Sequence, residues 1–243
     1  MSEPIYAIAD IHGHLEELDR ALALIEADGG AGAQIVFLGD LVDRGPESRG
    51  VLDRLIEGRA AGRRWTVLKG NHDDMFENFV GKGVEHDPHI ASRLSYFDDR
   101  LGGKATLASY GVTGADDRAV EEIRVEAAAA VPPAHRAFLA DLPLYLEREE
   151  LLFVHAGIRP GVPLARQAEG DLIWIRDGFL EDTTRHPWLV IHGHTALKHP
   201  AHFGNRVDLD AGTGYGRTLH PAVFEGRDCW LLTPDGRVPL RPE

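Results

Sequence analysis

Short apolar runs rich in β-branched and aromatic residues recur along the 243-residue chain, separated by longer stretches with apolar residues at helical spacing. The runs are IYAIA (5–9), QIVFL (34–38), WTVL (65–68), LLFV (151–154), LVI (189–191), RVDLD (206–210), AVFE (222–225) and CWLL (229–232). Such short, nearly continuous runs predict strands buried between helices. HLEELDRALALIEADGG (14–30) predicts a helix stopped by Gly29 and Gly30, and PESRGVLDRLIEG (46–58) predicts another, with Pro46 early and Gly58 at its end. This alternation indicates an α/β domain. The span 73–145 is different: AVEEIRVEAAAA (119–130) and AHRAFLADL (134–142) are helical, interrupted by LGGKATLASYGVTGADD (101–117) and Pro132-Pro133. It is expected as a helix-rich insertion packed beside the core of a single domain.

Five of the predicted strands end in polar clusters: DIHGH (10–14), GDLVDRGP (39–46), GNHDD (70–74), HAGIRP (155–160) and HGHT (192–195). Ligands of open α/β sheets bind beyond the carboxyl ends of the strands, so parallel neighbouring strands would bring all five clusters to one edge. Each cluster alone fits a turn that caps the next helix. Among them Asp10, Asp40, Asn71, His12, His155 and one or both of His192 and His194 make two carboxylates, one amide and three or four imidazoles, oxygen and nitrogen donors suited to Mn, Fe, Zn or Mg. Asp10 and His12 are two apart and face the same way on a strand end. Asp40 is a costly anion beside a buried strand unless it is paired or metal-bound. His192 and His194 also share a face, and their spacing does not choose between them.

Bulk properties narrow the partners. At 43% hydrophobic and 27% charged, the composition is that of an ordinary globular protein. A net charge of −13 argues against non-specific nucleic-acid binding. It also means that a phosphate site must be made locally positive, which bound divalent cations achieve. No apolar run reaches the roughly 20 residues of a membrane span, so no membrane partner is expected. The N-terminus lacks a secretory pattern. With Cys229 the single cysteine, no internal disulfide is possible, and a cytoplasmic location is expected.

The ordered set DIHGH, GDLVDRG, GNHD, HAG and GHT resembles the calcineurin-like metallophosphoesterases, in particular the phosphoprotein phosphatase branch. GGKATLASYG (102–111), DLIWIRDGFL (171–180) and VDLDAGTGYGRTL (207–219) are similar to segments of its bacterial members. The resemblance implies a βα-sandwich of two mixed sheets flanked by helices, holding two divalent metal ions, with manganese expected and Fe, Zn or Mg as alternatives. It implies that Asp10 and His12 bind the first metal, that Asp40 bridges, and that Asn71, His155 and His194 hold the second. His192 then falls behind the metal or on the substrate side. His72 matches the catalytic histidine and Asp43 its carboxylate partner. Arg44 and Arg176 match phosphate-binding arginines, and Tyr215 a tyrosine close to the site.

The chemistry agrees with that assignment. Two metals can activate water and clamp the attacking and leaving oxygens of an in-line displacement. Arg44 offers a planar fork to phosphoryl oxygens, and His72, oriented by Asp43, can give the leaving oxygen its proton. The leading expectation is a serine/threonine protein phosphatase, with symmetric dinucleoside tetraphosphate hydrolysis as the alternative and a non-catalytic metal-binding scaffold third. An acidic Asp43 tilts toward the first. Lys69 and Asp73 depart from the eukaryotic protein phosphatases, which carry RGNHE where this chain has KGNHD. The expected partner is a phosphorylated protein or a small phosphoester. His86, His89, His135, His186, His199, His202 and His220 are expected on the surface or in loops.

Overall fold

The structure is a computed structural model, and it describes residues 3–242. One sheet has the order β11 (Gly236–Pro239), β10 (Asp228–Thr233), β9 (Ala222–Glu225), β1 (Ile5–Ile8), β2 (Gln34–Phe37) and β3 (Trp65–Val67). The other has the order β4 (Tyr145–Arg148), β5 (Leu151–Val154), β6 (Leu189–His192), β8 (Arg206–Asp208) and β7 (Ala201–His202). Both sheets are mixed. β1, β2 and β3 are parallel in the first, and β5, β6 and β8 in the second. The helices are α1 (Leu15–Gly29), α2 (Ser48–Ala60), α3 (Asn71–Lys82), α4 (Gly103–Ser109), α5 (Val120–Ala130), α6 (Pro133–Ala140) and α7 (Glu169–Trp174). This is the α/β class, with the two mixed sheets expected.

Strand alternation divides the core into layers. Tyr6 and Ile8 of β1 point toward α1 and α2, where they meet Leu18, Ile25, Val51 and Leu55. Ala7 points the other way, into a layer between the sheets that includes Val36, Phe153, Ile191, Val207 and Phe224. On the far side, Leu152, Val154 and Val190 pack against Leu172 of α7 and Phe179. Every central strand is therefore apolar on both faces, the condition its sequence predicts. The span 73–145 reaches into the first of these layers. Phe76, Phe79, Ile123 and Leu139 join the same cluster as β1 and α1, each 1% exposed or less.

Three strands and three helices carry no signal in the hydrophobic pattern. β4 and β11 lie at sheet edges and β7 has only two residues, so each is held by its neighbour's backbone and needs no buried face. The helix α3 starts inside the polar cluster GNHDD, which also reads as a turn. Asp73 supplies the cap: its carboxylate accepts the Gly70 N–H at 2.9 Å and the Leu41 N–H at 2.9 Å. Of the histidines expected on the surface or in loops, His135 in α6 and His202 in β7 are buried, and His186 is buried within a loop. His135 bridges the Tyr110 hydroxyl and Asp53 at 2.8 Å each.

Candidate active site

The five polar clusters do meet, but from two sheets rather than along one edge. Asp10, Asp40 and Asn71 follow the parallel strands β1, β2 and β3, while His155 and His194 follow β5 and β6. Backbone groups tie the sheets together at this point. The His155 ring donates from Nδ1 to the Leu38 carbonyl at 2.8 Å, and the His194 N–H donates to the Asp10 carboxylate at 3.1 Å. The approach is tight enough to demand glycine. A Cβ on Gly193 would lie 2.1 Å from Asp10 Oδ1, and one on Gly70 would lie 2.2 Å from Asp40 Oδ1.

Backbone strain concentrates here. Among the described residues, seven non-glycine residues have φ in the left-handed region, and five are predicted site residues: His12, Asp40, Asp43, Arg44 and His194. Such conformations cost on the order of 1–3 kcal/mol each and persist where the surroundings impose them. Here they turn the side chains inward from the strand ends.

Two groups of ligand atoms share Asp40. One comprises His12, Asp40 and His72, the other Asp40, His155 and His194, and all five residues are buried. Hydrogen bonds fix which ring nitrogens face the centre. His12 donates from Nδ1 to the Val42 carbonyl at 2.9 Å, and His155 does so to Leu38, so each turns an Nε2 lone pair inward. His155 Nε2 then lies 3.0 Å from Asn71 Oδ1 and 3.4 Å from Asp40 Oδ1, three acceptors with no proton among them. His194 Nδ1 lies 2.8 Å from the same Asn71 Oδ1, and its buried Nε2 has no hydrogen-bond partner. Converging nitrogen and oxygen acceptors of this kind are what a divalent cation satisfies. The electrostatics point the same way. Burial, with Asp210 and Asp40 nearby, pushes the Asp10 carboxyl well above its ordinary range, and burial holds His12, His155 and His194 below theirs.

The Asp10 carboxylate accepts the His194 N–H and has Asp40 of the first group nearby. Arg44 lies over that group. Its guanidinium is 2.5 Å from His12 Nε2 and 3.2 Å from His72 Nε2, and it covers the Tyr215 ring at 4.9 Å. Arg44, Arg176, Tyr215 and His72 line a cavity of about 250 Å³ together with Asp210 and Arg217. Tyr215 is 62% exposed at its mouth. Burial raises the Asp210 carboxyl to about 6.

His72 donates from Nδ1 to Asp43 Oδ2 at 2.7 Å, leaving Nε2 toward the cavity. The other Asp43 oxygen accepts the Tyr96 hydroxyl at 2.8 Å and the Thr106 hydroxyl at 2.7 Å. Thr106 in turn accepts the Asp43 N–H at 2.7 Å, so Ser48, 3.0 Å away, must donate to it. These three partners are absent from the sequence-derived site. Thr106 sits in GGKATLASYG and Asp210 in VDLDAGTGYGRTL, segments marked by resemblance but without assigned roles. Tyr96 lies in an aperiodic stretch that gave no signal.

His192 is separated from the centre. It is fully buried, donates from Nδ1 to the Gly193 carbonyl at 3.0 Å, and lies 3.3 Å from the Arg206 guanidinium and 5.2 Å from the Phe179 ring centre. No helix among the described residues is long and apolar enough to cross a membrane.

Comparison with known proteins agrees with this geometry. Residues 3–215 match the calcineurin-like phosphoesterase family. The chain is 27% identical over 240 residues to a bis(5'-nucleosyl)-tetraphosphatase PrpE (asymmetrical) of Anoxybacillus flavithermus, covering 87% of this chain and 86% of that protein. It is 30% identical over 174 residues to a symmetrical bis(5'-nucleosyl)-tetraphosphatase of Janthinobacterium sp., covering 69% of this chain and only 50% of the relative. In fold it is similar to a cold-active protein-tyrosine phosphatase of a Shewanella species, with a TM-score of 0.64 at 14% identity over 99% of this chain and 81% of that one. A family match running from β1 to the turn that carries Tyr215 spans the whole candidate site, and the chain belongs to the calcineurin-like phosphoesterases.

Proposed function

We propose that the protein is a dinuclear-metal phosphoester hydrolase acting on dinucleoside polyphosphates. The observation that carries the hydrolase reading is the pair of ligand groups sharing Asp40 beside the Asp43–His72 couple. Asp10, His12 and Asp40 would hold one cation, and Asp40, Asn71, His155 and His194 the other. Two cations there would supply an activated water and a clamp on the oxygens of an in-line displacement. The remaining work belongs to the chain. Arg44 and Arg176 take the non-bridging phosphoryl oxygens. Asp43, fixed by Tyr96 and Thr106, orients His72 so that Nε2, once protonated, delivers its proton to the leaving oxygen. Tyr215 closes one side of the cavity. Manganese is the proposed metal.

The substrate class rests on two supports. Both curated relatives are named as tetraphosphatases. Beside the reactive cluster lies a groove of about 640 Å³, more room than a phosphorylated hydroxyl side chain needs. A serine/threonine protein phosphatase is the second reading, favoured by the intact Asp43–His72 pair.

The deciding experiment compares kcat/KM on diadenosine tetraphosphate and on a phosphothreonine peptide with matched Mn²⁺. A preference of 100-fold or more for the dinucleotide, about 2.7 kcal/mol of differential transition-state stabilisation, is expected. The opposite preference would establish the protein phosphatase. No turnover of either, or of p-nitrophenyl phosphate, would leave a metal-binding scaffold.

A further inference from the structure

The groove of about 640 Å³ shares Arg44, Asn71, His72 and Arg176 with the reactive centre, and its walls come from two separate parts of the chain. One wall is the segment preceding α4, with His89, Ile90 and Leu101, and the other is α7 and its flanks, with Trp174 and Ile175. The two walls touch through a planar contact. The His89 and Trp174 rings stack with centres 5.4 Å apart and planes within 14°. His89 is set in that plane from behind. Its Nδ1 donates to Asp87 Oδ1 at 2.9 Å and its backbone N–H donates to the same oxygen at 2.8 Å. Its Nε2 lies close over Gly170, where a Cβ would be 2.7 Å away. On its inner side Trp174 meets the His194 ring edge-on at 6.2 Å, which places the stack one residue from the metal-ligand cluster. Trp174 Nε1 is buried without a hydrogen-bond partner.

We infer that His89 and Trp174 form a subsite for a planar heteroaromatic ring, the base of a nucleotide whose phosphate lies between Arg44 and Arg176. The inference rests on the phosphoester-hydrolase reading and names the feature that selects its substrate. A base offers a π-face that extends the stack and hydrogen-bond acceptors of the kind Trp174 Nε1 lacks. Base–aromatic stacking contributes about 1–3 kcal/mol per base, or roughly 5- to 150-fold in affinity. The arginines and the aromatic and aliphatic side chains of one groove match the two halves of a nucleotide, whereas ribose phosphate alone would leave the aromatic and aliphatic side chains uncovered. His89 is thereby a specificity residue contributed by the 73–145 span, and Trp174 its counterpart on α7.

Equilibrium binding to the Mn²⁺-loaded protein tests this by isothermal titration of the phosphonate analogues of adenosine 5'-monophosphate, ribose 5-phosphate and phenyl phosphate, which have no scissile ester bond. The wild type is expected to bind the nucleotide analogue at least 10-fold more tightly than the ribose 5-phosphate analogue. His89→Ala and, separately, Trp174→Leu should collapse that ratio to 3-fold or less. His89 is an exposed position, so its variant is expected to fold even where Trp174→Leu does not. Equal affinity for these two analogues in the wild type, or a ratio unchanged in His89→Ala, overturns the assignment. A gain for the phenyl phosphate analogue matching that for the nucleotide analogue also overturns it, since the ring would then sit directly on the phosphate position. Absence of hydrolysis would count against the hydrolase reading, but the binding ratio would still report on the subsite.

Discussion

Thr106→Val is the most discriminating substitution, because it is isosteric and acts two hydrogen bonds away from any reacting atom. The wild-type hydroxyl donates to Asp43 Oδ1 at 2.7 Å and accepts the Asp43 N–H at 2.7 Å, and Thr106 is fully buried. Valine keeps the shape and removes both contacts, together with the acceptor for the Ser48 hydroxyl at 3.0 Å. Asp43 retains Tyr96 on the same oxygen, and its N–H retains Ser48 at 3.2 Å, so neither group is left without a partner. A hydrogen bond to a charged group contributes about 1.5–3 kcal/mol, so a stability loss of about 2 kcal/mol is expected. In a chain of this size that corresponds to a Tm lower by about 4–8 °C, measured by thermal unfolding. With one of its anchors gone, Asp43 holds His72 less well, and kcat should fall about tenfold, or about 1.4 kcal/mol, with KM little changed. The decisive assay repeats the substitution in a His72→Asn background. The stability loss should persist there while the activity loss disappears, because no imidazole remains to be oriented. If Thr106→Val costs the same factor in kcat with and without His72, the proposed line from Thr106 through Asp43 to His72 is wrong.

Other substitutions separate the two neighbouring histidines and the backbone between them. His194→Ala should weaken binding of the second metal, measured by titration into chelator-treated protein, by at least 100-fold, with His192→Ala changing it by less than tenfold; the reverse order would refute the ligand assignment. Gly193→Ala should reduce metal affinity and turnover together, since its methyl would fall 2.1 Å from Asp10 Oδ1, and wild-type affinity in that variant would show that the approach relaxes freely. His192 should also shape the acid response. Burial, reinforced by Arg206, lowers its pKa to about 3, so it stays neutral in the fold while the unfolded chain protonates below about 6.5. Its contribution to stability is therefore intact above pH 6.5 and is lost as pH falls toward 3, by about 2 kcal/mol between pH 7 and 5. The nearby Asp208 carboxyl, pushed up by burial, works in the opposite sense and is common to both proteins. Urea unfolding of His192→Gln should show about 2 kcal/mol less loss over that interval, and an identical loss would place the neutral imidazole elsewhere.

The sequence by itself determined the central strands and the chemistry at their ends. A strand covered on both faces must be apolar throughout, so β1, β2, β5 and β6 are visible as continuous runs, and a polar residue at the end of each is conspicuous. Asp10, Asp40, Asn71, His155 and the His192/His194 pair could be named on that basis, with the family resemblance supplying their roles and the choice of His194. Strand spacing alone could not decide between His192 and His194, which share a face and differ only in what the next element packs against them. The tertiary structure decides this, turning His194 toward Asn71 and closing Arg206 and Phe179 over His192. It also decides that the clusters come from two sheets, since nothing in a strand's own residues states which sheet it will join. The remaining gaps have one cause. Tyr96, Thr106 and His89 lie far along the chain from the residues they serve and belong to no periodic face, because their contacts are with single side chains rather than with a buried surface. Periodicity records burial against a layer. A hydrogen bond to Asp43 or a ring laid on Trp174 leaves no mark in it, and becomes visible only when the chain brings the partners together.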